Sequence, residues 1–410
     1  MDPSTSTGRT GGARTVATLP TSPDVPLAWL LGTDEQNAAA ALDDLVLEAT
    51  GRRPSSGSTT VEALPHAMGS PATAGVYRVR GRQEDGGDWS LFCKVLQHVR
   101  HWPGLAYLPP DVASHFADTF PWRSELELWD PRVQASLPDG LRSPRLHRVA
   151  ELPDDRVAIW QEDVAEADVE WDDARYARAA HLLGRWNARS TSVEAMAVSD
   201  LPPGFALRMY GEQAVPARGL APLEDDGLWA HPWLADHHDL RERLRVLGRD
   251  VPAMLDRLDT FVQALPHGDA SPQNLLVPAD DPADHVVIDL SFRSPHALGF
   301  DLGQLLVGLV HCDAVPAARL PGIAAAVVPA YVDGVRAEGV AASPDEIADG
   351  FATSTLLRSG FDGFLLDELA DARPDAPPSP SFTQRIELAR FLTDLYDSRP
   401  HTHRLRKDLP

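Results

Sequence analysis

The chain contains three adjoining segments: ALPHGDASPQNLLV at residues 264–277, HVVIDLSFRSP at residues 285–295 and HALGFDLGQLL at residues 296–306. In the first segment Pro266, Gly268 and Pro272 disfavour a helix, so it is predicted to be a loop. The run HVVI, residues 285–288, is typical of a short buried strand, and it ends in the carboxylate of Asp289. These patterns predict an irregular polar loop beside a core strand.

Two carboxylates and one amide stand out in these segments. Asp269 and Asn274 lie five residues apart in the loop, and Asp289 follows the strand. Transfer of a phosphoryl group needs a carboxylate beside the attacking hydroxyl and hard oxygen ligands for a divalent cation. The pattern therefore favours phosphoryl transfer, and the alternative is an Asp-Asn turn followed by an ordinary core strand.

The order and spacing of these motifs resemble the catalytic core of the aminoglycoside phosphotransferase family, which is related to the protein kinases. The matching residues are His267-Gly268-Asp269 with Asn274, then Ile288-Asp289, then Gly299-Phe300-Asp301-Leu302. The kinase catalytic loop reads H-R-D-x-x-x-x-N, and Gly268 stands here in place of the arginine.

The resemblance implies a role for each of these polar side chains. Asp269 would orient the acceptor hydroxyl and accept its proton, while Asn274 and Asp289 would hold Mg²⁺. His267 and Asp301 would support the catalytic loop by hydrogen bonds, and a chemical role for His267 is the alternative. The phosphate donor would be ATP or GTP.

The first part of the chain carries strand signals at residues 60–64, 75–80 and 89–96. Gly69 and Ser70 lie in the loop between the first two, where backbone N–H groups are expected to cover phosphates; an ordinary hairpin connection is the alternative. Lys94 interrupts the third strand. If that strand is buried, Lys94 needs an anionic partner, and the resemblance assigns it to the nucleotide phosphates; otherwise it lies on a solvated face.

The segment FPWRSELELW, residues 120–129, is predicted to be a helix in which Glu125 and Glu127 point in different directions. The pattern Trp-Arg-x-Glu resembles the family motif whose glutamate steadies the phosphate-binding lysine. Glu125 is therefore the expected partner of Lys94, and Glu127 is expected to be a solvated helix position.

The resemblance implies a bilobal, protein-kinase-like α+β fold. The smaller lobe would be an antiparallel β-sheet with a packed helix, and the larger lobe would be mainly helical. The expected boundaries are a disordered tail at residues 1–26, a nucleotide-binding lobe at 27–161, a helical lobe with the catalytic loop and acceptor site at 162–400, and a frayed tail at 401–410. Gln161 and Asp163 would belong to the hinge, whose backbone groups pair with the purine base.

Helical spacing of apolar residues predicts further helices. A capping box at residues 33–36 predicts one that ends at Gly51. Later helices are predicted at residues 173–190, 239–247, 250–262, 301–311, 321–338, 343–369 and 382–396. Residues 201–233 are rich in Pro and Gly and receive no assignment.

The 410 residues have a hydrophobic content of 43% and a formal net charge of −23. Such a chain is globular and long enough to bury a sizeable core. The negative charge repels nucleic acid and anionic membrane surfaces, so it argues against both as partners and favours a cationic acceptor; a generally acidic surface is the simpler explanation. Acidic runs at residues 162–173 and 224–226 are candidates for lining an acceptor pocket.

The cysteine content indicates a reducing compartment. Cys93 and Cys312 are the two cysteines of the sequence, and they form neither a disulfide framework nor a paired metal-ligand spacing. The N-terminal residues show no signal-peptide pattern, so a cytoplasmic location is expected. The most apolar segment, residues 302–332, is interrupted by charges and prolines, which is typical of core helices and not of a membrane span.

The leading interpretation is an O-phosphotransferase acting on a hydroxyl of a small molecule such as an aminoglycoside, amino sugar or related natural product. Two alternatives are a kinase acting on Ser or Thr of a peptide in natural-product biosynthesis and a nucleotide-binding scaffold without catalysis. A metal hydrolase using His231, His237 and His238 is disfavoured, because their spacing matches no zinc pattern.

Leu290-Ser291 and Ala297-Leu298-Gly299 depart from the family pattern, which weakens an assignment to the drug-inactivating members.

Overall fold

The computed structural model describes residues 25–66, 70–290, 293–361, 368–369, 372–373 and 375–399. The described residues form two compact units: those up to Arg123 together with Arg145–Asp163, and Ser124–Pro144 together with those from Val164 onward. Residues 124–144, which the prediction assigns to the nucleotide-binding lobe at 27–161, lie in the second unit. The expected tails at 1–26 and 401–410 lie outside the described residues, apart from residues 25 and 26.

The strands are short outside the first unit. In chain order they are β1 (Thr60–Leu64), β2 (Thr73–Arg82), β3 (Asp88–Gln97), β4 (Leu141–Arg142), β5 (Leu146–Leu152), β6 (Arg156–Glu162), β7 (Gln263–Ala264), β8 (Leu275–Leu276), β9 (His285–Val287) and β10 (His296–Ala297). The first unit contains an antiparallel sheet in the order β1-β2-β3-β6-β5, and the second unit contains the small sheets β4-β9-β8 and β10-β7.

Helices make up most of the second unit. In chain order the α-helices are α1 (Leu27–Leu30), α2 (Ala38–Thr50), α3 (Pro110–Thr119), α4 (Pro131–Ser136), α5 (Asp173–Arg189), α6 (Val193–Met196), α7 (Phe205–Met209), α8 (Ala221–Glu224), α9 (Asp226–Trp229), α10 (His238–Arg249), α11 (Val251–Leu258), α12 (Phe300–His311), α13 (Leu320–Ala337), α14 (Pro344–Ser359) and α15 (Pro380–Asp397). Short 3₁₀ helices lie at Val99–His101, Pro103–Tyr107, Ser124–Trp129, Pro232–His237, Pro272–Asn274 and Ala317–Arg319. Within the described ranges, no helix has both the length and the hydropathy needed to cross a membrane.

The first unit buries one face of its sheet against α2. Leu42, Leu45 and Val46 of α2 pack with alternating residues of the strands in one core. The helix ends at Gly51, whose φ of 75° is the left-handed conformation expected at this position. The predicted capping box at residues 33–36 is wrong, because α2 begins at Ala38 after a turn in which the Asp34 carboxylate accepts a hydrogen bond from the Asn37 backbone at 2.9 Å.

The second unit is organised around α5 and α13, which pack closely. Gly184 of α5 lies against the backbone of Tyr331, and Gly334 of α13 lies against the backbone of His181, so each helix approaches the backbone of the other at a glycine. The side chain of Asp172 accepts a hydrogen bond of 2.8 Å from the Arg175 backbone and caps α5. This pair of helices forms one wall of the core that supports the polar loop.

The predicted architecture is confirmed: an antiparallel sheet with a packed helix in the first unit, and mainly helices in the second. The helix predicted at 343–369 is too long, because α14 ends at Ser359. Residues 201–233, which had no assignment, form short helices and a π-helix, Tyr210–Leu220, that accommodates Pro216. A wide π-helical turn tolerates a proline whose missing N–H would break a regular α-helical hydrogen bond.

Candidate active site

The polar loop begins where β7 and β10 pair antiparallel, with Ala264 opposite His296. The chain then turns sharply, and Gly268 has a φ of 92°. That left-handed conformation carries little cost for glycine and strains other residues, which explains a glycine between His267 and Asp269. The loop is therefore shaped by its own backbone, and its conformation directs Asp269.

Asp301, at the first turn of α12, holds this loop. Its carboxylate accepts hydrogen bonds from the backbone N–H groups of His267 at 2.9 Å and Gly268 at 3.0 Å. The Asn187 side chain donates a third hydrogen bond to it, at 3.0 Å, and a further one to the Tyr331 hydroxyl. Asp301 is 1% exposed, and a buried carboxylate needs donors of this kind to offset its lost hydration. The geometry fits the structural role that the resemblance implies.

His267 belongs to the polar loop, and its side chain is fully buried. Its Nδ1 accepts a hydrogen bond of 3.2 Å from the Asp269 backbone, and its ring meets Trp186 edge-on at 6.0 Å. Burial lowers the pKa of His267, against the opposing effect of the carboxylates of Asp301, Asp269 and Asp289. A neutral imidazole that bonds to the loop backbone fits a supporting role.

Asp269 is held on both carboxylate oxygens. Oδ1 accepts a hydrogen bond of 2.9 Å from the guanidinium of Arg358, and Oδ2 accepts a longer one, of 3.3 Å, from the Asn274 amide. The same amide donates to the Asp269 backbone carbonyl at 2.9 Å. These contacts limit rotation of the carboxylate, which is 28% exposed at its side chain and so remains accessible.

Asn274 and Asp289 lie on neighbouring segments. β8 pairs antiparallel with β9, and the Ile288 backbone N–H donates to the Asn274 carbonyl at 3.1 Å. Because the NH₂ of Asn274 faces Asp269, its amide oxygen is the atom left to bind a cation. Asp289 has a φ of 60°, a conformation that costs free energy in any residue other than glycine and that is often retained at functional sites.

The residues present fit a hard divalent cation. Asn274 and Asp289 supply an amide oxygen and a carboxylate, and Mg²⁺ in nucleotide enzymes takes its remaining ligands from phosphates and water. Within the described residues, no cluster of three or more His, Cys, Asp or Glu side chains forms a complete metal site.

An ion pair between the buried Arg293 and the partly buried Glu127 lies beside the loop, and no sequence motif indicates it. Arg293 is 2% exposed; it donates to the Pro266 carbonyl at 2.9 Å and to the Glu127 carboxylate at 2.8 Å. The expectation that Glu127 is a solvated helix position is therefore wrong. Burial raises the pKa of Glu127 and lowers that of Arg293, since lost hydration outweighs their mutual attraction. This pair fixes the start of the polar loop.

Glu125 lies in the 3₁₀ helix Ser124–Trp129, in place of the predicted α-helix, and is 6% exposed. Lys94 lies in β3, where its neighbours in register are Val76 and Ile159, and is 7% exposed. The alternative of a solvated lysine is thus excluded. The two residues belong to different units, and their pairing stays a prediction.

The other expected nucleotide contacts fall in the first unit. The Ser70 hydroxyl bonds to that of Thr73 at 2.8 Å, while Gly69 lies outside the described residues. Gln161 lies inside β6, and Asp163 follows the strand. The Asp163 carboxylate accepts from Arg78 at 2.8 Å and from the Ser90 hydroxyl, so its side chain is engaged and only its backbone suits the expected hinge role.

No family model and no curated protein sequence matches the chain. Solved structures match it. The amicoumacin kinase hAmiN, in complex with AMP-PNP, Ca²⁺ and Ami, is 14% identical; 91% of this chain and 97% of that chain are covered, with a TM-score of 0.47. Spectinomycin phosphotransferase APH(9)-Ia, in complex with ADP and spectinomycin, is 10% identical over 88% of this chain and 98% of that chain, with a TM-score of 0.48.

An aminoglycoside phosphotransferase from Alicyclobacillus acidocaldarius is 15% identical over 84% of this chain and 92% of that chain, with a TM-score of 0.45. At these identities the function has to be argued from the residues of the site. All three matches are named as kinases or phosphotransferases.

Proposed function

We propose that this protein transfers the terminal phosphate of a nucleoside triphosphate, ATP or GTP, to a hydroxyl of a small molecule. The observation that supports it is the Asp269 carboxylate, which is held by Arg358 and Asn274, while the backbone of Asn274 bonds to that of Ile288, the residue before Asp289. An oriented carboxylate next to a divalent-cation site is the arrangement that phosphoryl transfer requires.

The reaction follows from the position of Asp269. The acceptor hydroxyl donates a hydrogen bond to the Asp269 carboxylate, which orients its oxygen toward the terminal phosphorus. As the new oxygen–phosphorus bond forms, the bond to the bridging oxygen of the nucleotide breaks. The hydroxyl proton passes to Asp269, and the nucleoside diphosphate leaves with the bonding electrons.

Asn274 and Asp289 would hold Mg²⁺ through their oxygens. When bound, this ion neutralises charge on the phosphates, and that is the chemistry it supplies. His267 and Asp301 keep the loop in place, since both bond to its backbone. These side chains position the site and exchange no proton with the substrate.

Lys94 would contact the nucleotide phosphates from the first unit. Its burial in β3 supports this, because a buried ammonium is costly without anionic partners. The resemblance adds Glu125 as the residue that steadies Lys94, and Gly69 with Ser70 as a phosphate-covering loop. It also places the backbones of Gln161 and Asp163 beside the purine base.

The acceptor is proposed to be an aminoglycoside, amino sugar or related natural product. Two carboxylates in one of the acidic runs expected to attract such a cation are paired with arginines: Glu224 with Arg245 at 2.5 Å, and Asp226 with Arg241 at 2.7 Å. These ion pairs reduce the negative charge that residues 224–226 offer to a cationic acceptor. The run at residues 162–173 also contains paired carboxylates, since Asp163 pairs with Arg78 and Asp173 pairs with Arg319, so both runs stay candidates for lining the acceptor pocket.

An acceptor screen tests the proposal. Amino sugars, aminoglycosides and Ser/Thr peptides are incubated with Mg²⁺ and nucleotide labelled on its terminal phosphate, and products are detected by mass. We expect the mass of one phosphate on a hydroxylated small molecule. Labelled peptide would favour the biosynthetic peptide kinase, and nucleotide binding without transfer to any acceptor or water would favour the non-catalytic scaffold.

A further inference from the structure

Arg358, near the end of α14, contacts the catalytic loop from a distant part of the sequence. One guanidinium nitrogen donates to the Gly268 carbonyl at 2.6 Å, and another donates to Asp269 Oδ1 at 2.9 Å. The guanidinium carbon lies 5.7 Å from the centre of the Phe300 ring, and that ring stacks on His296 at 3.9 Å. Arg358 is thus anchored on a rigid aromatic support while it binds the loop.

The loop backbone is shaped for this contact. In the kinase pattern an arginine precedes the catalytic aspartate, whereas here Gly268 occupies that position with a φ of 92°. In this left-handed conformation the Gly268 carbonyl accepts a hydrogen bond from Arg358, which lies 90 residues later in the sequence. A positive charge therefore reaches the aspartate from α14 and not from the loop itself.

The two oxygens of Asp269 have different surroundings. Oδ1 is bound by a charged donor at 2.9 Å, and Oδ2 by a neutral amide at 3.3 Å. A charge-assisted hydrogen bond is the stronger and withdraws more electron density from its acceptor. Oδ2 is thus the more available oxygen, and it faces the Asn274 amide, whose own oxygen is the proposed cation ligand.

We infer that Arg358 is the positioning residue of the reaction: it fixes Asp269 through Oδ1 and so presents Oδ2 to the acceptor hydroxyl. This inference rests on the proposed phosphotransfer and adds a residue that no motif identifies. Arg358 acts through Asp269 and touches neither substrate. Its fork of donors binds a carbonyl and a carboxylate together, which the single ammonium of lysine does not reproduce.

The chain offers a matched control in Arg241 of α10. Arg241 also donates to one backbone carbonyl, that of Leu223 at 2.7 Å, and to one carboxylate, that of Asp226 at 2.7 Å. Its guanidinium also lies over an aromatic ring, that of Trp229, at 5.2 Å. The side chains of Arg241 and Arg358 are similarly buried, at 12% and 15% exposure. Because Arg241 lies away from the polar loop, substituting it measures the structural effect of losing such an arginine without disturbing Asp269.

The experiment compares Arg358→Ala, Arg358→Met, Arg358→Lys and Arg241→Met with the wild type, using an acceptor found in the screen. We expect kcat to fall roughly 10²-fold in Arg358→Ala and Arg358→Met, because a misplaced catalytic group costs about that much. KM for both substrates should change by less than about threefold, since ground-state binding is kept. The kcat of Arg358→Lys should lie between that of Arg358→Ala and that of the wild type.

Two readouts separate positioning from folding. Guanidinium ion, added at a non-denaturing concentration to Arg358→Ala, should restore part of kcat, while it should leave Arg241→Met unchanged. Thermal unfolding should shift similarly in Arg358→Met and Arg241→Met. If Arg358→Met keeps the wild-type kcat, or if its loss equals that of Arg241→Met, the inference is overturned. If the wild type itself transfers no phosphate, the proposed function fails instead.

Discussion

The carboxylate of Asp301 accepts a hydrogen bond of 2.9 Å from the backbone N–H of His267, which precedes it by 34 residues. The N-terminal turn of α12 thereby holds the polar loop, and both partners are buried. A loop that must keep Asp269 in one orientation needs such an anchor, because loops otherwise sample many conformations.

Asp301→Ala should lower the free energy of unfolding by about 2 to 4 kcal/mol, because the N–H groups of His267 and Gly268 then stay buried without an acceptor. Denaturant unfolding measures this. Asp226→Ala is the control, since that carboxylate is 92% exposed at its side chain and its loss should cost less than about 1 kcal/mol. Equal losses in the two variants would show that Asp301 does not anchor the loop.

Gly299 precedes α12 in a left-handed conformation, with a φ of 96°, and an added Cβ would lie 2.5 Å from the Ile347 carbonyl oxygen. Gly299→Ala should therefore lower the free energy of unfolding by about 3 kcal/mol, from backbone strain and from the clash together. Gly339→Ala separates the two effects. Gly339 has a φ of 77° with nothing within 4 Å of the added Cβ, so about 1 kcal/mol is expected. A similar loss in both variants would mean that the Ile347 contact has no cost.

The cation ligands are tested by titrating Mg²⁺ against the rate of phosphate transfer. Asp289→Asn keeps an oxygen but removes its charge, and Asn274→Ala removes the other oxygen. Each should raise the Mg²⁺ concentration for half-maximal rate by roughly 10- to 100-fold. Gln273→Ala is the control, because Gln273 is directed to Cys312 at 3.2 Å. Superimposable curves for Asp289→Asn and the wild type would rule out Asp289 as a ligand.

His285 predicts a dependence of stability on pH. It is buried in β9 beside Trp171, and neither ring nitrogen has a hydrogen-bond partner within the described part of the chain. Burial, followed by the positive charges of Arg175 and Arg178, lowers its pKa from 6.5 to about 4. Below pH 6.5 the unfolded chain therefore binds a proton that the folded protein does not bind until about pH 4, so acid destabilises the fold.

His285→Phe keeps an aromatic ring and removes this proton. Between pH 6.5 and about pH 5, the free energy of unfolding of the wild type should fall by about 2 kcal/mol more than that of the variant. Denaturant unfolding at both pH values measures the difference. His238→Phe, at an exposed position, should not flatten the dependence. An unchanged slope in His285→Phe would contradict a neutral buried histidine.

The parts of the site that sequence predicts are local in the chain. Asp269 and Asn274 lie in one loop with the prolines and glycine that shape it, and Asp289 ends an apolar run. The same holds for α2, whose end at Gly51 was correctly predicted from a glycine. In each case the residues that decide the structure are close neighbours in sequence.

The parts that sequence missed depend on contacts between distant segments. Arg358 lies 89 residues from Asp269, and Arg293 lies 166 residues from Glu127, so neither pair has a local pattern. The spacing of apolar residues in a helix predicts which of its residues are buried. It does not predict which polar side chain contacts a loop that is distant in sequence. The length of α14 was overestimated for a related reason, because helical spacing continues past Ser359 where the chain turns at Gly360.

In the proposed reaction Asp269 receives the acceptor proton during phosphate transfer. The direct measurement is the single-turnover rate of product formation, by mass, for wild type, Asp269→Asn and the exposed-site control Asp280→Asn. Asp269→Asn keeps the shape but binds no proton, so its rate should fall roughly 10²- to 10⁴-fold, while Asp280→Asn should match the wild type. A rate for Asp269→Asn equal to that of the wild type would show that Asp269 does not accept the proton of the acceptor hydroxyl.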